Sequence, residues 1–185
     1  LYNALLLYGK EMSVEELLPI LLEDRDFYQA TNGGVTLSGG ECLLYADFCE
    51  ELLKRLKEEN IHTAVDTCGF VNREAIEKVL PYTDVFLYDV KAFDEKVHIQ
   101  CTGQSNKIIL ENLAYIDQKG KVIEISIPYV PEYNARELEN IAEFLKNIEN
   151  VKKVKVLPYH NYAGSKYESL GMENTLPEIL PDEQE

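Results

Sequence analysis

Several short stretches combine residue types that could do chemistry together. Ser38-Gly39-Gly40-Glu41 puts two glycines and a carboxylate directly after an apolar run, Gly34 to Ser38. A di-glycine lets backbone approach a ligand closely because no Cβ intervenes. The charge of Glu41 suits an ammonium group. Asp66-Thr67-Cys68-Gly69 and the pair Asp89 and Lys91 follow two further apolar runs. Asp66 and Asp89 could share a cation, and Lys91 could be that cation. Ser126 and Pro128 end another run, and Tyr159-His160 follow the last, where His160 is suited to donate a hydrogen bond or carry a proton. Together these groups describe a polar, cation-friendly rim suited to an amino acid-like ligand.

The elements that must carry them read as alternating strands and helices. Ser13-Val14-Glu15-Glu16 is a capping box opening a helix with Leu17, Leu18, Leu21 and Leu22, and Pro19 predicts a kink or a late start. An amphipathic helix is expected over Tyr45 to Glu59, one capped by Asn72, one over Ser105 to Lys119, and one over Asn134 to Asn147 begun by a second capping box of Asn134 and Glu137. Strands are expected at Gly34 to Ser38, Ile61 to Val65, Asp84 to Val90, Lys121 to Ile127 and Val151 to Leu157. This is an α/β pattern of right-handed βαβ units around a parallel sheet. It fits an open doubly wound sheet or part of a β/α barrel. Every polar cluster falls at the carboxyl end of a strand, the edge where α/β proteins bind ligands. Contributions from several strands favour a barrel rim over a single crevice. That Asp, Asn and Gly make good turns accounts for one such cluster better than for the whole set.

Composition narrows the function class. At 185 residues the chain reads as a single domain, 1–185, with a loose acidic tail over 173–185. A formal net charge of −15 argues against nucleic acid or an anionic membrane as partner. No apolar run approaches a membrane span and no secretory signal is visible, so a cytoplasmic location with reduced thiols is expected. Cys42, Cys49, Cys68 and Cys101 have no C-x-x-C spacing, so none is expected to ligate zinc or an iron–sulfur cluster, and Cys49 reads as a buried helix thiol.

One ordered set of motifs is more specific. DRDFY (Asp24 to Tyr28), GGVTLSGGE (Gly33 to Glu41), HTAVDTCGF (His62 to Phe70), FLYDVK (Phe86 to Lys91), Thr102-Gly103 and LPYHNYAGSKYESLG (Leu157 to Gly171) occur in one order between about Tyr8 and Met172. Together they resemble the glycyl-radical-enzyme activating enzymes, a radical S-adenosylmethionine family typified by the activase of pyruvate formate-lyase. The resemblance implies a partial barrel truncated at its N-terminus. It implies a [4Fe–4S] cluster that cleaves S-adenosylmethionine to a 5′-deoxyadenosyl radical, which takes a hydrogen atom from a glycine of a partner enzyme. That partner would be of the pyruvate formate-lyase or glycerol/diol dehydratase type, and the electron donor a flavodoxin or ferredoxin. Ser38, Gly39, Gly40, Glu41, Asp66, Thr67 and Ser126 would bind the cofactor. Asp89, Lys91 and His160 would form the catalytic group, and Asp66 and Asp89 could hold a monovalent cation.

The family's Cys-x-x-x-Cys-x-x-Cys motif does not occur in the printed chain, whose start at Leu1 suggests a fragment. The polypeptide as printed is therefore expected to lack the cluster and to be inactive by itself. Cys42 stands where the family usually has proline, Ser126 where relatives often have arginine, and Glu132 where a turn glycine is frequent. Three alternatives remain at this level: another radical S-adenosylmethionine branch, such as the activase of anaerobic ribonucleotide reductase, a non-catalytic module on the same barrel, and an ABC-type ATPase. The last shares the LSGGE-like signature but needs a G-x-x-x-x-G-K-[ST] loop, and the pairs Gly9-Lys10 and Gly120-Lys121 do not supply one.

Overall fold

The computed structural model describes residues 9–159 together with Tyr167, Gly171 and Glu173. Within them lie strands β1 (Gly34–Leu37), β2 (His62–Thr67), β3 (Val85–Asp89), β4 (Val122–Tyr129) and β5 (Val151–Pro158). Helices are α1 (Val14–Leu22), α2 (Arg25–Thr31), α3 (Ala46–Glu58), α4 (Arg73–Val79), α5 (Glu95–Thr102), α6 (Lys107–Gln118), α7 (Pro131–Asn134) and α8 (Glu137–Leu145). The strands form one parallel sheet in the order β1-β2-β3-β4-β5. A doubly wound sheet reverses direction at a switch point. This one never does, which decides between the two architectures in favour of the barrel type.

With right-handed crossovers, an unreversed order puts all the connecting helices on one face of the sheet. That face carries the core. Val65, Phe86, Tyr88, Ile123, Ile125 and Ile127 alternate along the strands and pack against Leu53 of α3, Ile76 of α4, Leu113 and Ile116 of α6 and Ile141 of α8. A second cluster of Val14, Leu18, Val35, Leu52, Leu56 and Ile61 seats α1 against α3 and the first strand. Because side chains alternate with a period of two, the intervening residues face the other way. Asp66, Leu87, Glu124 and Ser126 are all only partly buried.

The capping box at Ser13 is present: Glu16 N donates to Ser13 Oγ, and Ser13 N donates to Glu16 Oε2 at 2.9 Å. The helix does not start late at Pro19 but runs from Val14 to Leu22 through it. Asn72 caps α4 as expected, accepting from Ala75 N at 2.9 Å. The second capping box does not form. Asn134 closes α7 and bonds elsewhere, and the Glu137 carboxylate accepts from Phe93 N and Asp94 N at 2.8 and 2.7 Å. A distant loop won the groups that the local pattern assigned to a helix start.

The amino edge of the sheet is held by Asp84. Its carboxylate accepts from Lys57 Nζ at 2.8 Å, from Thr63 N at 2.9 Å and from Thr63 Oγ1 at 3.1 Å. Burial pushes this carboxyl up, but Lys57 and the two Thr63 donors together outweigh it and hold the group below the usual range. A carboxyl lowered in the folded state adds stability above its unfolded pKa and loses it as pH falls through the folded value. Asp84→Asn is therefore expected to cost on the order of 1–2 kcal/mol at pH 7. The gap to the parent protein should close below about pH 4, near the ordinary aspartate value, in denaturant titrations run across pH.

Candidate functional site

The carboxyl edge gathers the predicted groups. After β1 the chain turns through Ser38-Gly39-Gly40, with Gly39 at φ +136°, and a Cβ added at either glycine would meet nothing within 4 Å. The backbone here faces open space. Ser38 Oγ donates to Asp66 Oδ2 at 2.7 Å, joining the first two rim segments. After β3, Lys91 Nζ lies 3.4 Å from Asp89 Oδ2, with both side chains about one-third exposed (35% and 34%). Ser126 lies beside Asp89 in the β3–β4 register. His160 lies outside the described residues.

Two of the expected ligand groups, Glu41 and Thr67, also hold the loop. The Glu41 carboxylate accepts from Thr67 Oγ1 at 2.9 Å, Cys68 N at 3.0 Å and Leu43 N at 3.1 Å. These bonds tie the glycine turn to the end of β2. Thr67 lies on the helix side of the sheet, 3% exposed, opposite Asp66 in the alternation. Its hydroxyl also accepts from Gly69 N at 2.9 Å. Its side chain thus positions Glu41 and does not face the open side.

The same device recurs along the rim. Asn112 of α6 is fully buried and donates from Nδ2 to Gly69 O and Val71 O, both at 2.9 Å, while Arg73 Nε donates to its Oδ1 at 2.9 Å. Asn106 Nδ2 donates to Ala92 O and Phe93 O. Asn134 Nδ2 donates to Lys91 O at 2.8 Å and Pro128 O at 2.7 Å, and its Oδ1 accepts from Val130 N. Each rim loop is thereby fixed by a side chain from a later stretch of the chain. Such support is what holds a binding constellation in place. Asn106 and Asn112 carry no local sequence signal for this role, and Asn134 and Glu137, expected as a capping box, serve the rim loops instead.

The wall behind the rim is equally constrained. Tyr88 is fully buried, its hydroxyl donates to Ile109 O at 2.7 Å, and burial raises its pKa well above the usual tyrosine value. Gly69, at φ +70°, packs against the hydroxyl end of that side chain.

Family comparison decides what this rim belongs to. The sequence profile of the Radical SAM superfamily matches residues 4–145. The chain is 38% identical to the choline trimethylamine-lyase activating enzyme of Oleidesulfovibrio alaskensis, over 92% of this chain and 57% of that protein. It is 35% identical to the pyruvate formate-lyase 1-activating enzyme of Escherichia coli K12, over 96% of this chain and 74% of that protein. This chain belongs to the radical SAM superfamily, among its glycyl-radical-enzyme activating enzymes. A crystal structure of a domain of the pyruvate-formate lyase-activating enzyme from Bacteroides vulgatus superposes with a TM-score of 0.65 at 32% identity, covering 70% of this chain and 82% of that one. The radical SAM chain spans 57% of the length of the choline trimethylamine-lyase activase. Membership removes the ATPase reading of the glycine signature.

A radical SAM protein implies S-adenosylmethionine and an iron–sulfur cluster. The open rim fits the amino acid end of the first, offering accessible glycine backbone, carboxylates and hydroxyls on one edge. The described residues do not fit a cluster. No group of three or more His, Cys, Asp or Glu is placed to hold a metal ion among them. The Cys42 thiol is pushed up by its hydrogen bond with the Cys49 thiol, by burial and by the nearby Glu41 and Asp66 carboxylates. Burial, with Glu41 beside it, raises Cys68 despite the Phe70 backbone N–H, and burial raises Cys101. No described helix is long and apolar enough to cross a membrane.

Proposed function

We propose that the protein carrying these β/α units installs a glycyl radical on a partner enzyme of the pyruvate formate-lyase or glycerol/diol dehydratase type. It would use S-adenosylmethionine, a [4Fe–4S] cluster bound by residues other than those described, and an electron donor such as a flavodoxin or ferredoxin. The observation that carries this reading is the open Gly39-Gly40 turn, tied by Glu41 to β2 and by Ser38 to Asp66. When bound and reduced by one electron, the sulfonium cofactor supplies the hydrogen-abstracting species; the protein supplies orientation.

Each group then has a part. Backbone of Gly39 and Gly40 accepts from the cofactor's ammonium. Asp66 and Asp89, whose residues lie on adjacent strands, provide negative charge for that ammonium or for a monovalent cation. Lys91 pairs with Asp89 at 3.4 Å, which leaves Asp66 as the carboxylate without a cationic partner among the described ion pairs. His160 would complete the catalytic group with Asp89 and Lys91. A cleft of about 400 Å³ opens beside Lys91, lined by Thr102, Val130, Tyr133 and Tyr159 among others. It is the natural entry for a polypeptide segment of the partner. The unpaired cysteines support a reducing, cytoplasmic setting.

The test is made on the full-length gene product, purified without oxygen. Iron and sulfide are assayed, the protein is reduced, and its electron paramagnetic resonance spectrum is recorded with and without S-adenosylmethionine, using residues 1–185 as the control. A reduced [4Fe–4S] signal that changes on adding the cofactor is expected in the full-length protein and no signal in the control. A protein devoid of iron after reconstitution would sink the reading.

A further inference from the structure

We propose that Cys42 and Cys49 are a thiol pair that a small-molecule disulfide, such as glutathione disulfide, oxidises reversibly to an intramolecular disulfide, and that this bond loosens the glycine turn. Both residues sit at the root of that turn. Cys42 follows Glu41 directly and opens the short helical turn Cys42–Tyr45 that leads into α3. Cys49 lies in α3 and is 3% exposed. The Cys49 thiol donates to Cys42 O at 3.3 Å, so its sulfur is turned back onto the Cys42 residue. The two thiols are also hydrogen-bonded to each other. Thiols held in contact need only an exchange partner to form a disulfide. In a reducing setting such a bond is transient and redox-sensing rather than structural.

The third nearby thiol is engaged elsewhere. Cys68 Sγ lies 3.2 Å from Glu41 Oε2, and Cys68 N donates to the same oxygen at 3.0 Å. Cys42 is only partly buried, and its sulfur lies 3.6 Å from Leu37 O and 3.5 Å from Asp66 O. It therefore sits between the ends of β1 and β2, the two strand ends that flank the glycine turn. Oxidation takes two exchanges. The Cys42 thiolate attacks glutathione disulfide, forming a mixed disulfide and releasing one glutathione. The Cys49 thiolate then displaces the second glutathione and forms the Cys42–Cys49 bond. The protein pair loses two electrons and two protons, and both leave as two reduced glutathiones. Disulfide sulfurs are about 2.05 Å apart, closer than hydrogen-bonded thiols. Cys49 belongs to the buried cluster that holds Leu53 and Val65, so Cys42 makes the movement. Its sulfur is drawn from Leu37 O and Asp66 O, and its S–H is lost. The strand ends then lose a shared neighbour at the point where Ser38 and Glu41 also tie them.

The test uses the full-length protein with its cluster reconstituted, equilibrated anaerobically across a series of oxidised-to-reduced glutathione ratios. Cys42 holds its proton more tightly than a free thiol, so the series is read at equilibrium rather than as a rate. Free thiols are alkylated and the protein is digested with trypsin, which leaves both cysteines in one peptide, Asp26 to Lys54, and Cys68 in another. With rising ratio the first peptide should become two hydrogens lighter and lose both alkylation sites together, and dithiothreitol should restore it. Cys49→Ala should stop at the mixed disulfide on Cys42, and Cys42→Ser should leave position 49 alkylated. In the oxidised parent the Leu43 and Cys68 amides, which Glu41 accepts, should exchange their hydrogens faster. S-adenosylmethionine binding, an arm that rests on the reading above, should weaken about fivefold, the worth of one hydrogen bond. The pair is overturned if the peptide stays doubly alkylated while the exposed Cys101 carries glutathione, or if Cys42 joins the Cys68 peptide instead. A disulfide that leaves amide exchange unchanged overturns the loosening of the turn. If the cofactor binds in neither state while the peptide still loses its hydrogens, the activase reading fails and the thiol pair stands.

Discussion

Replacing Gly69 with alanine is expected to be strongly destabilising. An added Cβ would lie 1.6 Å from Tyr88 Oη and 2.4 Å from Tyr88 Cζ, and the residue sits at φ +70°. The left-handed backbone alone costs about 1–2 kcal/mol for a non-glycine residue. Overpacking typically adds about 1–3 kcal/mol. The ring has little freedom to retreat, because its hydroxyl is held by Ile109 O and it is fully buried. A loss of about 3–5 kcal/mol, comparable with much of a domain's stability, should appear in denaturant unfolding or as insoluble protein. Adding Tyr88→Phe removes the 1.6 Å contact but leaves the ring carbon, so rescue should be partial. A fully stable Gly69→Ala protein would show that the loop moves more readily than this packing allows.

Glu41→Ala should be nearly as severe, and it should affect the site as well as the fold. It strips the acceptor from Thr67 Oγ1, Cys68 N and Leu43 N, and the first of these belongs to a residue only 3% exposed. Buried donors without partners cost about 1–3 kcal/mol each, so a loss of about 3 kcal/mol or more is expected. The glycine turn also loses its link to β2, and S-adenosylmethionine binding by the full-length protein should fall at least about tenfold, the effect of about 1.4 kcal/mol. Glu41→Gln keeps one acceptor oxygen but turns an amide donor toward donors, and should fall between the two. Were Glu41 a direct ammonium ligand instead, Glu41→Gln would weaken binding while leaving the unfolding curve almost unchanged.

The fold was legible wherever the signal was local and periodic. Alternation along KVIEISI placed β4, and the apolar stripe of Phe48, Cys49, Leu52, Leu53 and Leu56 placed α3 on the core face. The position of polar clusters after strands located the rim. What stayed hidden depended on contacts across the sheet. The short helices α2 and α5 carry too few apolar residues to announce themselves. Asn134 and Glu137 match a helix-start pattern, yet their side chains are consumed by Lys91 O, Phe93 N and Asp94 N more than forty residues earlier. Thr67 and Asp66 are adjacent in sequence, yet neighbouring strand residues face opposite sides, and only the structure shows Thr67 on the helix side.

The buried asparagines at the rim also set a rule for anyone recombining such proteins. The loop after β2 owes its shape to Asn112, and the loop after β3 to Asn106, Asn134 and Glu137. A cut between a strand and its own helix, the usual seam for loop grafting, would carry the loop into a new host and leave its clamp behind. The transferable piece is therefore larger than the visible loop: it comprises the loop and the later helix that grips it. Libraries that shuffle these loops should place their crossovers beyond that later helix, and substrate range in such chimeras will follow the inherited pair rather than the loop sequence by itself.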